Sequence, residues 1–368
     1  MKVAILTFHA AHNFGSMLQA YALQTTIVNA GHECKIINLR TSEQKTLYDY
    51  RSEEIHESNI LKKIIKRIVF SDVFSGKKNQ YDLFEKFMSD YMYLTPEYSN
   101  IAEIESNLEN FDVFISGSDQ IWNINTKDYN DAYMLAFKNE GRRVAYAVSA
   151  GSGNCNFEEY KDLLKAYQRI GVREYNLKEK LAELSIPSTI TVDPTLLLSS
   201  DNWSELRNQE FEKKLPKRYI LFYSLGYHED EKNILKYLRK KYKMPILSPH
   251  RLYTKELVEG ILLVKNCGPR EFVSLFARAS LIFTTSFHGC VFSTLFEKEF
   301  FAYLPNEGHV DERKRSFLKI TRQEYRGINS LEDIINIANS AENNLSNLHN
   351  WDKAEIEESK KFLLDSIG

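Results

Sequence analysis

Apolar and polar positions follow one another in blocks that predict strands and helices in turn. Val3 to Phe8 is a short apolar run of strand character, His9 to Gly15 is a polar loop, and Ser16 to Ala30 carries Leu18, Tyr21, Ala22 and Ile27 at helical spacing. Glu33 to Leu39 returns as a strand and completes a β-loop-α-β unit. The alternation continues with strands at Phe111 to Ile115, Arg143 to Val148, Ile170 to Arg173 and Thr189 to Val192. Helical spacing falls between most of them, over residues 77–91, 157–168 and 174–184. Strands alternating with helices predict the α/β class and a mostly parallel, doubly wound sheet.

A polar interval from Ser199 to Lys217 precedes a second series of the same kind. Arg218 to Leu225 reads as a strand, Asp230 to Tyr242 as a helix, Pro245 to Ser248 as a strand and Pro269 to Ala279 as a helix. Ser280 to Thr284 and Phe300 to Tyr303 follow as strands, with the apolar helix Cys290 to Phe296 between them. The boundary is expected near residue 205, giving domains over 1–205 and 206–350. The last helix, 351–367, is read as able to cross back to the first domain.

Composition narrows the function classes. The chain has 368 residues, 43% of them hydrophobic, which is enough for two domains with cores of their own. Lys plus Arg number 48 against 50 Asp plus Glu, so a net charge of -2 makes no electrostatic case for nucleic acid. The cysteines, Cys34, Cys155, Cys267 and Cys290, are widely spaced and form no C-x-x-C pair. That argues against a zinc knuckle and a disulfide framework, and for a reducing cytosol. No His/Cys/Asp cluster has metal-ligand spacing, so neither a metal nor a cofactor is expected. No apolar run approaches the roughly 18 residues needed to span a bilayer, and Met1 to Phe8 is too short for a signal sequence. One segment points to a membrane surface: Leu61, Ile64, Ile65, Ile68 and Val69 share one helical face, and Lys62, Lys63, Lys66 and Arg67 the other. A helix packed on its domain with a solvated basic face is the competing reading.

Candidate chemistry gathers where the strands end. Ser280 to Thr284 stops at Thr285, Ser286, Phe287, His288 and Gly289 just before the apolar helix. In open α/β sheets ligands bind beyond the strand C-termini, and a helix starting there presents N–H groups to an anion. Asn13-Phe14-Gly15-Ser16 also precedes a helix, Ser118-Asp119-Gln120 follows a strand, and Ser149 and Gly151 follow another. Trp122 beside Gln120 and Asn123 would suit a sugar ring, and Asp119 could bond a hydroxyl or accept its proton. Each of these loops could equally be a plain turn, because Gly, Ser, Asn and Asp are favoured there for backbone reasons.

These motifs together resemble those of the polysaccharide pyruvyl transferase family, in order and over nearly the whole chain. Asn13-Phe14-Gly15-Ser16-Met17-Leu18-Gln19-Ala20-Tyr21-Ala22-Leu23 is similar to its N-[FY]-G-[AS]-x-L-Q-A-Y-A-L motif, and Gly117-Ser118-Asp119-Gln120-Ile121-Trp122-Asn123 to its G-S-D-Q-x-W-N. Val172-Arg173-Glu174, Asp193-Pro194-Thr195-Leu196-Leu197 and Ser286-Phe287-His288-Gly289 resemble its V-R-E, D-P-T-L-L and S-F-H-G. The resemblance implies two Rossmann-like domains facing a central cleft in the GT-B manner. It also implies transfer of pyruvyl from phosphoenolpyruvate to two hydroxyls of a sugar in a surface-polysaccharide precursor, such as that of a bacterial capsule or exopolysaccharide, giving a cyclic ketal. Some relatives carry Arg-Leu-His where this chain has Ser286-Phe287-His288, and Ser286 cannot supply that arginine's charge.

Read against this chemistry, His288 is the expected general acid/base and Asp119 a second catalytic candidate. Arg173 is the first choice for the donor's carboxylate, with a surface ion pair to Glu174 or Glu179 as the alternative. Arg313 and Arg315 come second, since the Glu-Arg-Lys-Arg run reads as a solvated face. Asn13, Gly15, Ser16, Gln19, Ser118, Gln120, Trp122, Asn123, Ser149, Gly151, Ser286, Phe287 and Gly289 complete the expected substrate contacts. The expected partners are phosphoenolpyruvate and a sugar or lipid-linked oligosaccharide, met in the cytoplasm or at the inner membrane face. A nucleotide-sugar glycosyltransferase and a non-catalytic sugar-binding protein stay open, because fold does not determine function.

Overall fold

Apolar runs too short to be helices, bounded by polar turns, form strands that are buried on both faces. The computed structural model describes residues 1–50, 71–151, 155–224, 229–249, 260–305, 312–339 and 353–368. The basic amphipathic segment at 61–69 lies outside them. Two compact units result, Met1–Leu198 with Ile356–Gly368, and Ser199–Glu355.

The first unit is built on a seven-stranded sheet in the order β3-β2-β1-β4-β5-β6-β7. The strands are β1 Lys2–Leu6, β2 Glu33–Leu39, β3 Leu94–Tyr98, β4 Val113–Ser116, β5 Arg142–Val148, β6 Arg169–Val172 and β7 Thr189–Ile190. Every pairing is parallel. The pattern misses β3 because Pro96 interrupts it, and a proline is tolerated there only because β3 is an edge strand. The expected helix over 157–168 is instead a 3-10 turn at Glu158–Tyr160 and a short helix at Lys161–Lys165. Phe157 and Tyr167 are drawn inward to the Trp122 ring, at 6.3 and 5.7 Å between centroids, and that packing outweighs the helical period.

The second unit carries a six-stranded parallel sheet ordered β10-β9-β8-β11-β12-β13. Its strands are β8 Ile220–Tyr223, β9 Ile246–Ser248, β10 Ile261–Leu263, β11 Leu281–Thr284, β12 Phe300–Tyr303 and β13 Gly327–Ile328. Counted within the unit this is the 3-2-1-4-5-6 Rossmann order, and the first unit has the same order with one strand added.

The division falls before residue 205. The helix Ser200–Glu205 belongs to the second unit, where fully buried Trp203 meets Phe292 edge-on at 5.0 Å. The last helix, Ala354–Ile367, packs on the first unit. There Val192 N donates to Ser359 Oγ (3.0 Å), the Arg169 guanidinium lies 4.3 Å from the Phe362 ring centre, and Arg142 donates to the Ile367 carbonyl. No helix among the described residues is long and apolar enough to cross a membrane.

Candidate active site

In a doubly wound sheet the crevice opens where the strand order reverses, between β1 and β4 in the first unit and between β8 and β11 in the second. Hydroxyl and carboxyl side chains meet at both places.

In the first unit, Asn13 caps the helix Phe14–Asn29, its Oδ1 accepting from Gly15 N (2.9 Å) and Ser16 N (3.3 Å). The cap aims Ser16 across the reversal point, where its hydroxyl donates to Asp119 Oδ2. The other oxygen of Asp119 accepts from Arg173 Nη2 (3.2 Å), and Arg173 Nη1 donates to Asp193 Oδ2 (2.5 Å). Asp193 Oδ1 in turn accepts from Thr195 Oγ1 and N, at 2.6 and 3.0 Å. Four of the motifs thus converge on one buried chain, Ser16 to Asp119 to Arg173 to Asp193.

That arrangement corrects several expectations. Arg173 is 3% exposed and braced between two carboxylates, neither of them Glu174 or Glu179; it holds Asp119 in place instead of offering a fork to a ligand. Trp122 is fully buried and donates Nε1–H to Ser116 Oγ (2.9 Å), so it is a core residue and not a sugar platform. Gln19, fully buried, donates to Thr7 Oγ1 and the Ser16 carbonyl (both 2.8 Å) and accepts from Ser118 N (3.2 Å). Ser118 donates to the Ala147 carbonyl (2.7 Å) and Ser149 to Glu174 Oε1 (2.7 Å), both from full burial. These residues shape the loops from beneath. Ser16 and Asp119 are themselves buried, 8% and 5% exposed, whereas Gln120 and Asn123, joined by a 3.4 Å hydrogen bond, are partly exposed. Gly151 lies against them at φ +66°, where a Cβ would come within 2.6 Å of Gln120 Oε1.

In the second unit β11 runs into the helix Phe287–Leu295 through Thr284-Thr285-Ser286. Thr284 Oγ1 donates to the Tyr223 carbonyl (2.6 Å) and accepts from Ser286 N (3.0 Å), tying the turn to β8. The helix then starts so close to the strand that a Cβ on Gly289 would lie 2.0 Å from Thr284 Oγ1, which restricts that position to glycine. His288, 6% exposed, sits in the first turn, where amides have no partner within the helix. Ser224, just after β8, pairs its hydroxyl with Thr285 Oγ1 (2.8 Å) and with buried Glu231 (3.3 Å). Phe287 is held between the His288 ring (5.1 Å), Phe317 (5.8 Å) and the Arg313 guanidinium (5.8 Å).

The helix Glu312–Ile320 therefore reaches the motif, though not through Arg315, which is exposed on the outer face. Its inward cation is Lys314, 4% exposed, with Nζ donating to the Tyr303 carbonyl at the end of β12 (2.8 Å). Sequence reading passes over Lys314 as part of a charged run. The available signal was its spacing, three residues before Phe317 and so on the same helical face.

The sequence profile of the polysaccharide pyruvyl transferase family matches residues 13–307, from the Asn13 cap through the His288 turn. The chain belongs to the polysaccharide pyruvyl transferase family. No curated protein matches the sequence. Among solved structures, the UDP-GlcNAc 2-epimerase from Neisseria meningitidis bound to UDP-GlcNAc is similar at a TM-score of 0.59, with 12% identity over 100% of this chain and 99% of that one. The epimerase from Methanocaldococcus jannaschii in complex with UDP-GlcNAc and UDP is similar at 0.56, with 13% identity over 100% of both chains. At such identities the likeness concerns the fold, a GT-B-type pair of Rossmann-like units. Of the five pyruvyl transferase motifs, four build the Asp119 cluster and the fifth builds the His288 turn.

Proposed function

We propose that the protein moves the pyruvyl group of phosphoenolpyruvate onto two hydroxyls of one sugar in a surface-polysaccharide precursor, forming a cyclic ketal. The observation that carries this reading is the His288 turn, where a titratable imidazole, a helix N-terminus and the buried cation Lys314 share the C-terminal edge of one sheet. Phosphoenolpyruvate brings a carboxylate and a phosphate, and helix amides with a lysine suit such oxygens. In the reaction one hydroxyl oxygen bonds to C2 while C3 gains a proton and becomes the methyl group. The second hydroxyl oxygen then bonds to C2 as the C2–O bond to phosphate breaks. Of the two hydroxyl protons released, one is taken up at C3 and the other leaves with the phosphate, so a single group that both accepts and donates near neutrality can serve, and His288 is assigned that role. Asp119 is assigned the hydrogen bond to an acceptor hydroxyl.

Calorimetry with phosphoenolpyruvate and with UDP-GlcNAc, followed by phosphate release in the presence of candidate acceptors, tests the reading. Binding of UDP-GlcNAc and not phosphoenolpyruvate would replace it with a nucleotide-sugar reaction. The reaction is proposed to need neither metal nor organic cofactor, so exhaustive chelation is expected to leave donor binding unchanged, and loss of binding would overturn that part.

Lys314 gives a sharper test. Lys314→Met is expected to weaken phosphoenolpyruvate binding by about 1.5 to 3 kcal/mol, the range for a hydrogen bond to a charged group, with Lys314→Arg closer to the wild type. A lowered melting temperature with donor affinity unchanged would make Lys314 only a brace for the end of β12.

A further inference from the structure

The first unit contains a second polar recess, of about 320 Å³, that none of the five motifs lines. It lies beyond the C-terminal ends of β1 and β2, beside His12, the residue before the Asn13 cap. We propose that this recess binds one uncharged hexose ring of a glycan, as a subsite for the acceptor; the proposal rests on the transferase reading above.

Two of its lining residues, His12 and Arg40, are tied to Glu85 next to the recess, and this explains why the ligand would be neutral. Glu85 Oε1 is 2.7 Å from His12 Nε2, and Arg40 Nη1 donates to both Glu85 oxygens at 3.0 and 3.1 Å. Arg40 Nε is committed to Asn38 Oδ1 (3.1 Å), and at the rim Lys45 donates to Glu97 (2.6 Å). An incoming anion would have to take Arg40 from Glu85. A hydroxyl, being donor and acceptor at once, can join the existing network without breaking it. Burial opposes ionisation of Glu85, but His12 and Arg40 outweigh it and hold its carboxyl below the usual range. It is thus an ionised acceptor through the neutral pH range.

Tyr48 and Tyr81 also line the recess, beside Gln44, Asp49 and Glu97, and Tyr50 packs on Tyr81 from outside the lining. Tyr81 meets the His12 ring edge-on at 4.3 Å and Tyr50 at 5.7 Å, while Tyr48 donates its hydroxyl to Asp128. Tyrosines with a fixed polar tip and an apolar face complement the C–H face of a pyranose. The volume falls at the small end of the roughly 300 to 1,000 Å³ typical of small-molecule sites, suiting a single ring. His12 itself is held at φ +43°, a left-handed conformation uncommon outside glycine that histidine adopts more readily than most residues.

The test is saturation-transfer NMR of the full chain with methyl glucoside, galactoside and mannoside and their 2-acetamido forms, without phosphoenolpyruvate. At least one glycoside is expected to bind, and Tyr81→Ala and Glu85→Gln are each expected to weaken it by about tenfold or more, the loss of roughly one good contact. Exposed Tyr93→Ala should change nothing. Melting curves show whether each variant is folded, and Glu85→Gln, which keeps the side chain's shape, decides the outcome if Tyr81→Ala is not. Absence of any glycoside signal, binding indifferent to both changes, or displacement of the glycoside by inorganic phosphate would each overturn the proposal. Glycoside binding at Tyr81 without pyruvyl transfer would leave the subsite standing and remove the transferase reading. Transfer with an unchanged acceptor KM in Glu85→Gln would do the reverse.

Discussion

Replacing His288 by glutamine is expected to lower saturated turnover about 10²- to 10⁴-fold while leaving donor affinity and folding close to the wild type, the contribution usual for a positioned acid or base. Glutamine can still donate a hydrogen bond from the same first turn of the helix Phe287–Leu295, but it cannot exchange a proton near pH 7. The imidazole is only 6% exposed and packed on Phe287, so an amide of similar length keeps most of that contact. If His288 acted only as a cation for the phosphate, the loss would appear in donor affinity, with turnover at saturation less affected. If it were only a packing residue, the melting temperature would fall while the folded fraction stayed active. Near-normal saturated turnover would take His288 out of the chemistry.

The second large effect is on stability. Arg173→Ala should destabilise the protein by about 3 to 5 kcal/mol, the cost of leaving buried charge without its partner. Removing the guanidinium takes its charge away from both Asp119 and Asp193, which are 5% and 1% exposed. Denaturant unfolding measures this directly, preferably monitored at Trp122, which lies in the same unit. Activity should fall with it, because Asp119 loses the bond that orients it toward Ser16. Unchanged stability combined with a specific loss of phosphoenolpyruvate affinity would return Arg173 to the role of ligand.

Both predictions concern residues that the motifs single out, yet only the structure separates their duties. His288 and Arg173 each follow a short apolar run, and nothing local distinguishes a site residue from a brace. The difference lies in what the neighbouring strands deliver. β7 brings Asp193 to Arg173 and β4 brings Asp119, so its charge is spent inside the protein. Around His288, β8 and β12 bring Ser224 and the Tyr303 carbonyl that holds Lys314.

The sequence by itself determined the class of fold, the number of units and the loops where chemistry gathers. Strand and helix periods are local properties, and in a parallel sheet every strand points its C-terminal loop to one edge. It also placed a strand-to-helix turn at Thr285 to Gly289, although the helix begins at Phe287, ahead of the apolar run from Cys290 that the pattern shows. Only tertiary structure decided that Trp122 is core, that Arg173 is a brace and that Lys314 and not Arg315 turns inward. It alone assembled the recess of His12, Arg40, Tyr48 and Tyr81 from segments that carry no motif. Burial and pairing of a charged or aromatic side chain depend on which distant strands and helices close over it, and that information is absent from the spacing along the chain.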